Sequence, residues 1–231
     1  MKLILTRPID DSKKLLNDLK GKDHDLIMNP LLEIVYLQKK ININQFTSVL
    51  FTSRHSVRAI KQYRYNITNK FFFICGKSAY QEALEFGLSN EYVLFENISD
   101  LVKKFPDIKN IQKQNILYLR GRHISYNFNK LLKDSNIKSN EEIIYEANQI
   151  CNFTPEIIEE FTKNNPLGVF LYSERTAHIF INTLKKYKLS NKTSIILAYC
   201  LSKNISQILE EFGIKTKYPL TSTNEAMLNL I

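Results

Sequence analysis

The sequence predicts an α/β protein made of two doubly wound domains, each with a parallel β-sheet. Apolar runs of strand length alternate with segments of helical period along the whole chain. These runs are continuous rather than alternating in polarity, which is typical of strands buried on both faces of a parallel sheet. About ten such runs are too many for one small sheet, so the 231 residues are expected to form two domains.

The first half of the chain is punctuated by residues that end helices. Gly21 and Gly87 follow helical segments at the position where a glycine commonly ends a helix. Pro106 stops the helical segment that precedes it. The predicted strands are residues 2–6, 25–29, 30–37, 49–53, 70–75 and 92–95, and the predicted helices are residues 11–20, 54–63, 77–86 and 99–105.

The second half continues the same alternation. Thr154, Pro155 and Glu156 combine an N-cap hydroxyl, a proline in the first helical position and an acid in the first turn, so a helix begins there. The predicted strands are residues 115–119, 142–147, 168–172, 194–199 and 215–219, and the other predicted helices are residues 124–133, 174–187, 203–212 and 223–230.

The two halves resemble each other in pattern, which predicts a duplicated α/β unit. The period is far too long for a solenoid, so two lobes that face one another are expected. The matching pairs are residues 3–22 with 117–136, VLFTSRHSV (49–57) with VFLYSERTA (169–177), and residues 71–87 with 195–213.

Charge, cysteine content and the lengths of the apolar runs indicate which partners and which cellular compartment to expect. The formal net charge of +9 suggests an anionic partner, although solvated lysines in a chain rich in Lys, Asn and Ile account for most of it. Cys75, Cys151 and Cys200 form no CxxC pair and are expected to be free thiols in a reducing cytoplasm. No apolar run approaches the length of a membrane span. No basic helix, aromatic RNA-binding pair or zinc motif predicts a nucleic-acid partner.

Hydroxyl and basic side chains gather where the predicted strands end. Ligands of doubly wound sheets bind beyond these carboxyl ends, and the N-termini of the following helices favour carboxylate or phosphate. A single serine there is most simply a helix cap, but the repetition in both halves favours a cleft that binds a polyanion. The residues are Thr6, Arg7, Thr52, Ser53, Arg54, Gly76, Lys77, Ser78, Arg120, Gly121, Tyr172, Ser173, Ser202 and Thr221 to Thr223.

Motifs of established catalytic chemistry are absent from the sequence. There is no GxGxxG, GxxxxGK[ST], GxSxG or HExxH pattern. The histidines are scattered without partners, and no metal site, catalytic triad or acid–base pair can be assigned. An enzyme of this sequence would therefore rely on positioning and electrostatics.

An ordered set of short motifs resembles the uroporphyrinogen-III synthase family, the cofactor-free ring-closing enzymes of tetrapyrrole synthesis. The motifs run in family order across nearly the whole chain. They are ILTRP (4–8), PLLEI (30–34), LFTSRHSV (50–57), FICGKSAYQEALEFG (73–87), YLRG (118–121), IIYEA (143–147), FLYSERTA (170–177), AYCLSKNISQILEEFG (198–213) and TSTNEAML (221–228).

The resemblance implies two flavodoxin-like domains joined by a two-stranded β-ladder. Residues 1–34 with 151–231 would form one domain and residues 38–144 the other, with connectors at 31–37 and 142–150. The implied substrate is hydroxymethylbilane, a linear tetrapyrrole polycarboxylate, which loses water and closes to uroporphyrinogen III with its last ring inverted. The resemblance also implies a cytoplasmic monomer without metal or cofactor, which contacts hydroxymethylbilane synthase transiently.

The resemblance assigns roles to individual residues. Tyr145 matches the family's connector tyrosine, placed to assist departure of the hydroxyl, and the alternative role is packing within the ladder. Ser53 and Ser173 match carboxylate-binding positions, while Arg7 and Arg120 would bind carboxylates through bidentate geometry. Thr223 matches a family hydroxyl near the start of the last helix, and its alternative role is helix capping. The remaining residues of the strand-end set would line the substrate site, although Arg54 could instead be a surface residue.

Departures from the family pattern leave alternatives open. Ala79 and Ile205 stand where many relatives have threonine, and Glu174 and Arg175 replace small residues after Ser173. One alternative function is a non-catalytic two-lobed protein that binds small polyanionic ligands. Another is nucleic-acid binding, for which the net charge is the main support.

Overall fold

A computed structural model describes residues 1–19, 24–67, 69–88 and 91–231 of the chain. The chain divides into two compact units, Met1–Glu33 with Asn148–Ile231, and Ile34–Ala147. Each unit contains a mainly parallel sheet with helices between its strands. The predicted fold class, α/β with two parallel sheets, is confirmed.

The strands follow the apolar runs closely. Residues in the middle of the sheets are buried on both faces, as the continuous runs predict: every residue of the strands at Ser48–Phe51 and Leu167–Leu171 is buried. The strands are β1 (Lys2–Leu5), β2 (Asp25–Met28), β3 (Leu32–Tyr36), β4 (Ser48–Phe51), β5 (Phe71–Cys75), β6 (Tyr92–Phe95), β7 (Asn115–Gly121), β8 (Lys138–Gln149), β9 (Leu167–Leu171), β10 (Ile196–Cys200) and β11 (Lys215–Lys217).

The helices connect these strands. Short 3-10 turns at Ile43–Gln45, Phe105–Asp107, Ile111–Lys113 and Ser190–Ile195 accompany them. The α-helices are α1 (Ile9–Asp18), α2 (Arg54–Gln62), α3 (Lys77–Glu85), α4 (Ile98–Lys104), α5 (Phe128–Asp134), α6 (Pro155–Lys163), α7 (Glu174–Lys186), α8 (Lys203–Glu211) and α9 (Asn224–Leu228).

The two sheets share one strand order. The first runs β2-β1-β9-β10-β11, and five strands of the second run β8-β7-β4-β5-β6, with β3 added beside β8. In this correspondence β1 is equivalent to β7, β9 to β4 and β10 to β5. These are the same strands whose sequences match in the internal repeat, so the repeat in sequence has a counterpart in topology.

Aromatic side chains fill the core of each unit. In the first unit Phe153 packs against Phe161 and Phe180, with ring centroids 5.7 Å apart in both pairs. In the second, Phe73 and Phe105 meet edge to face with centroids 4.8 Å apart. Such pairs add about 0.5–1.5 kcal/mol beyond the burial of their area, so each sheet carries its own tightly packed core.

The start of one predicted helix differs from the structure, and the end of another lies outside the described residues. Helix α5 begins at Phe128 rather than at the predicted residue 124, because the Asn127 side chain caps it by accepting a hydrogen bond from the Lys130 amide. Ile124 is 41% exposed, so no apolar face extends the helix backwards. The predicted end of the first helix, at Lys20 and Gly21, lies outside the described residues.

Candidate functional site

The second unit gathers part of the predicted strand-end residues around a cavity of about 150 Å³. The strands β8, β7 and β4 lie side by side and are parallel where they pair. Their carboxyl ends therefore meet at one edge of the sheet. The predicted residues that line the cavity are Thr52, Ser53, Arg120, Gly121 and Tyr145.

Tyr145 lies against the backbone of the neighbouring strand. It pairs with Gly121 next to a register shift in β7, and its carbonyl accepts a hydrogen bond of 3.0 Å from the Arg122 amide. A Cβ atom at Gly121 would lie 2.6 Å from Cζ of the tyrosine ring. The aromatic ring therefore occupies the space that any side chain at position 121 would need.

The surroundings of Tyr145 keep its phenol protonated. Burial raises the pKa of Tyr145 above its usual value, and this effect outweighs a hydrogen bond with Ser53 and the charge of Arg54, which both lower the pKa. The imidazole of His55 lies with its ring centroid 5.5 Å from that of Tyr145, and its Nδ1 is 3.3 Å from the hydroxyl oxygen of Tyr36. A neutral phenol in this setting can donate a proton to a ligand.

A second tyrosine, Tyr118, contributes another hydroxyl to the cavity. Its hydroxyl is 3.2 Å from Oγ1 of Thr52, and burial raises its pKa to about 12. Neither Tyr118 nor His55 was predicted from the sequence to belong to the site. The available signals were a phenol inside the apolar run of β7 and an imidazole at the second residue of α2.

Arg120 is held by an acidic neighbour. Its Nε and Nη2 donate to the two carboxylate oxygens of Glu141 at 3.0 and 2.9 Å, and its Nη1 donates to the Gly121 carbonyl at 2.9 Å. This hydrogen bond with Arg120 holds the pKa of Glu141 below its usual value. The bidentate geometry that was predicted for a substrate carboxylate is formed with a carboxylate of the chain itself.

The other predicted residues of the second unit begin helices. Ser53 caps α2 and accepts a hydrogen bond of 3.2 Å from the His55 amide, and Arg54 is the first residue of that helix. Gly76 precedes α3 with φ of +88°, a conformation that favours glycine. Lys77 and Ser78 are exposed in the first turn and do not line the cavity.

The first unit brings its predicted residues to the carboxyl ends of β1, β9 and β10, which are neighbours in its sheet. Thr6 is buried and donates to the Phe170 carbonyl at 2.5 Å, so its hydroxyl binds the sheet itself. The guanidinium of Arg7 lies 4.2 Å from the centroid of the Tyr172 ring, a cation–π contact. Arg7 and Tyr172 together form a partly exposed cationic surface.

Hydroxyl residues begin the helices of the first unit as well. Ser173 and Thr176 form a capping box at the start of α7, and Ser173 accepts a hydrogen bond of 3.2 Å from the Thr176 amide. Ser202 is the N-cap residue of α8. Thr223 caps α9 by accepting from the Ala226 amide at 3.2 Å. Helix capping therefore accounts for the hydroxyl groups of Ser173 and Thr223. The other backbone amides in the first turn of each helix have no partner within the helix, and they point outward beyond the carboxyl end of the preceding strand.

Replacement of Ser173 with alanine is expected to lower the free energy of unfolding by about 1 kcal/mol, because the Thr176 amide loses its acceptor. The loss is measured by urea denaturation. Thr162→Ala is the matched control, since the exposed Thr162 hydroxyl donates to the Ile158 carbonyl within α6 and to no other described residue. This variant should unfold like the unaltered protein. Equal stability of Ser173→Ala and the unaltered protein would contradict the capping role.

The free energy of unfolding is expected to decrease on acidification, and only at acid pH. The pKa of Glu141 is lowered by its hydrogen bond with Arg120, so its contribution is complete above the usual glutamate pKa of about 4.3 and is lost as pH falls through the lower folded value. Urea denaturation should give constant stability between about pH 5 and 7 and a decline below about pH 4.5. A stability maximum near pH 4 would contradict this assignment. Other carboxyls whose pKa is lowered are Asp100, Glu160 and Glu210.

Cys75, Cys151 and Cys200 are free thiols. Burial raises the pKa of Cys75 to about 11 and that of Cys200 to about 12, so neither forms a nucleophilic thiolate at neutral pH. Within the described ranges, no group of three or more His, Cys, Asp or Glu side chains is placed to hold a metal ion. No helix in the same part of the chain is both long and apolar enough to cross a membrane.

Comparisons with known proteins agree on one family. The family model for "Uroporphyrinogen-III synthase HemD" matches residues 13–229. The protein "Putative uroporphyrinogen-III synthase" of Methanocaldococcus jannaschii is 24% identical over 241 residues, covering 100% of this chain and 98% of the relative. The crystal structure of uroporphyrinogen-III synthetase from Helicobacter pylori has a TM-score of 0.68 at 16% identity, covering 100% of this chain and 98% of that one. A mutant uroporphyrinogen III synthase from Thermus thermophilus has a TM-score of 0.56 at 10% identity, covering 99% and 96%.

Proposed function

The chain belongs to the uroporphyrinogen-III synthase HemD family, and we propose on that premise that it converts hydroxymethylbilane into uroporphyrinogen III. The reaction removes the terminal hydroxyl of the linear tetrapyrrole as water and closes the macrocycle with the last ring inverted. The observation that carries the proposal is the position of the Tyr145 phenol, which lines a cavity at the carboxyl edge of a doubly wound sheet.

In the proposed reaction Tyr145 acts on the leaving hydroxyl. The carbon–oxygen bond breaks with its electron pair on oxygen, and the phenol supplies the proton that completes the water molecule. The substituted carbon of the last pyrrole ring attacks the resulting cation and forms a spiro intermediate. The original bond of that carbon to the chain then breaks, and the freed end recloses at the unsubstituted carbon of the same ring, which is thereby inverted. This last carbon gives its proton to the phenolate, which restores the phenol and the aromatic pyrrole. General acid catalysis of this kind contributes about 10²–10⁴ in rate.

Positioning is the second part of the proposal. Hydroxymethylbilane closes unaided to the uninverted isomer, so the protein must control its conformation as well as its rate. Holding reacting ends together lowers a barrier by about 7–11 kcal/mol in favourable cases, and hydrogen bonds to charged groups add about 1.5–3 kcal/mol each. Helix N-termini at the ends of β4, β5, β9 and β10 supply amides for carboxylates, with Arg7 as a cationic contact. Ser53, Ser173, Ser202 and Thr223 mark these helix starts.

The enzyme class follows from the chemistry. The family implies a cyclising lyase, and loss of water without change of oxidation state makes a cofactor-independent hydro-lyase the natural assignment. We also propose that the protein acts as a cytoplasmic monomer. A transient contact with hydroxymethylbilane synthase would limit the unaided closure of the substrate before it is bound.

The alternative function is that of a non-catalytic protein that binds polyanions. It is distinguished from a lyase by the amount of substrate that each molecule of protein consumes. The substrate is generated in place, and its disappearance is followed with the protein present far below stoichiometric amounts. A lyase consumes all of the substrate faster than the spontaneous reaction. A protein that only binds would slow ring closure of the fraction of the substrate that is bound to it. That outcome would overturn the proposed function.

A further inference from the structure

We propose that the cavity of the second unit binds a neutral, pyrrole-sized ring of the substrate and excludes its carboxylates. The identification of the ring as a pyrrole rests on the proposed function. The preference for a neutral ring rests on the charge, shape and size of the cavity. The residue that sets this preference is Glu141 on β8, which does not line the cavity itself but binds the guanidinium of Arg120, which does.

The charge of the cavity wall is already compensated. Arg120 donates from one edge of its guanidinium, Nε and Nη2, to the two carboxylate oxygens of Glu141 at 3.0 and 2.9 Å. Its remaining terminal nitrogen, Nη1, donates to the carbonyls of Gly121 and Arg122 at 2.9 and 3.4 Å. The Arg120 side chain is only 12% exposed. A carboxylate entering the cavity would compete with Glu141 for the same donors and would place two like charges beside one cation. The other basic side chain of the lining is His123, which is exposed to solvent.

The shape of the wall suits a flat ring. Tyr118 and Tyr126 each pack against Phe128, with ring centroids 5.7 and 4.9 Å apart, and all three line the cavity together with Tyr145. Aromatic groups prefer edge-to-face or offset contacts of this kind. The hydroxyl oxygens of Thr52 and Ser53 at the strand end can accept a hydrogen bond from a pyrrole N–H.

The volume of about 150 Å³ is the size of an engineered protein cavity that holds one benzene molecule. One pyrrole ring fits such a space, whereas a whole tetrapyrrole does not. The cavity therefore selects one ring of the substrate, and the Tyr145 phenol is the acidic group placed beside that ring. Binding of a neutral ring here leaves the carboxylate arms to the helix amides elsewhere.

The inference predicts that Glu141→Gln turns the cavity into an anion site. The glutamine cannot neutralise Arg120, so a small carboxylate can take the place of the lost charge. Acetate affinity is expected to rise by about tenfold or more, the effect of one charge-assisted hydrogen bond. Glu146→Gln is the matched control: Glu146 lies on the same strand and pairs with Arg122 outside the cavity.

The test is a titration of the full chain labelled with ¹³C at isoleucine methyl groups. Ile98 and Ile124 line the cavity, and Ile→Val variants assign their signals. Pyrrole should shift both signals in the unaltered protein while acetate does not, and acetate should shift both in Glu141→Gln but not in Glu146→Gln. Buried core isoleucines such as Ile179 report that each variant is folded.

Two results would overturn the inference. One is an acetate response of the unaltered protein at lower concentration than the pyrrole response. The other is an unchanged acetate response in folded Glu141→Gln. Both measurements are independent of turnover. If the protein binds pyrrole but makes no uroporphyrinogen III, only the proposed function is overturned. If the protein is active but binds acetate in this cavity, only the inference is overturned.

Discussion

Replacement of Tyr145 with phenylalanine is expected to lower kcat by about 10²-fold, the lower end of the range for general acid catalysis. The phenylalanine ring preserves the contacts with Gly121 and His55 but has no proton to give to the leaving hydroxyl. Because the group acts only in the transition state, KM should change little. Initial rates of uroporphyrinogen III formation over a range of hydroxymethylbilane concentrations measure both constants.

Tyr80→Phe is the control for this substitution. Among the described residues, the Tyr80 hydroxyl is hydrogen-bonded to the Tyr92 hydroxyl alone, at 2.7 Å, and Tyr80 does not line the cavity. The control should therefore keep the activity of the unaltered protein. If Tyr145→Phe also kept kcat within about twofold of that activity, the phenol would have no role in the chemistry. Tyr145 would then serve only to pack the end of the strand.

Gly121→Ala is expected to destabilise the second unit by about 1–3 kcal/mol, the usual range for overpacking. The new Cβ would lie 2.6, 2.8 and 2.9 Å from Cζ, Cε2 and the hydroxyl oxygen of Tyr145. The backbone of β7 is held by pairing with β4 up to Leu119 and with β8 at Gly121 itself, so the end of the tyrosine ring must shift. Thermal unfolding should therefore occur at lower temperature, and synthase activity should fall as well.

The double variant Gly121→Ala with Tyr145→Ala separates the clash from other causes. Without the tyrosine ring the three atoms nearest to the added methyl group are absent, so the methyl group should cost much less in this background than in the unaltered protein. The comparison uses urea denaturation of the four proteins in the cycle. An equal cost in both backgrounds would show that Gly121 is needed for its backbone and not for the space it leaves to Tyr145.

Much of the architecture could be predicted because it depends on local patterns. Continuous apolar runs identify β4 and β9, and both strands are buried along their whole length. Ser53 and Ser173 follow these runs and cap the next helices, as hydroxyl residues at such positions commonly do. The resemblance to the uroporphyrinogen-III synthase family is confirmed by the family match.

The interior of the site could not be predicted because it depends on pairing between distant segments. The bond between Arg120 and Glu141 requires the parallel register of β7 with β8, and no local pattern specifies that register. The cavity also depends on α5, which begins at Phe128 and leaves Ile124 and Tyr126 in the loop that lines it. Arg120 was therefore predicted from the sequence as a ligand of a substrate carboxylate, whereas its partner Glu141 could not be identified without the strand register.

The most direct measurement of the central claim is the isomer composition of the product. The protein is supplied with hydroxymethylbilane, the product is oxidised, and the uroporphyrin isomers are separated chromatographically at increasing protein concentration. The proposed function predicts that isomer III replaces isomer I as protein is added, while heat-denatured protein leaves isomer I alone. Isomer I as the sole product at every protein concentration would contradict it.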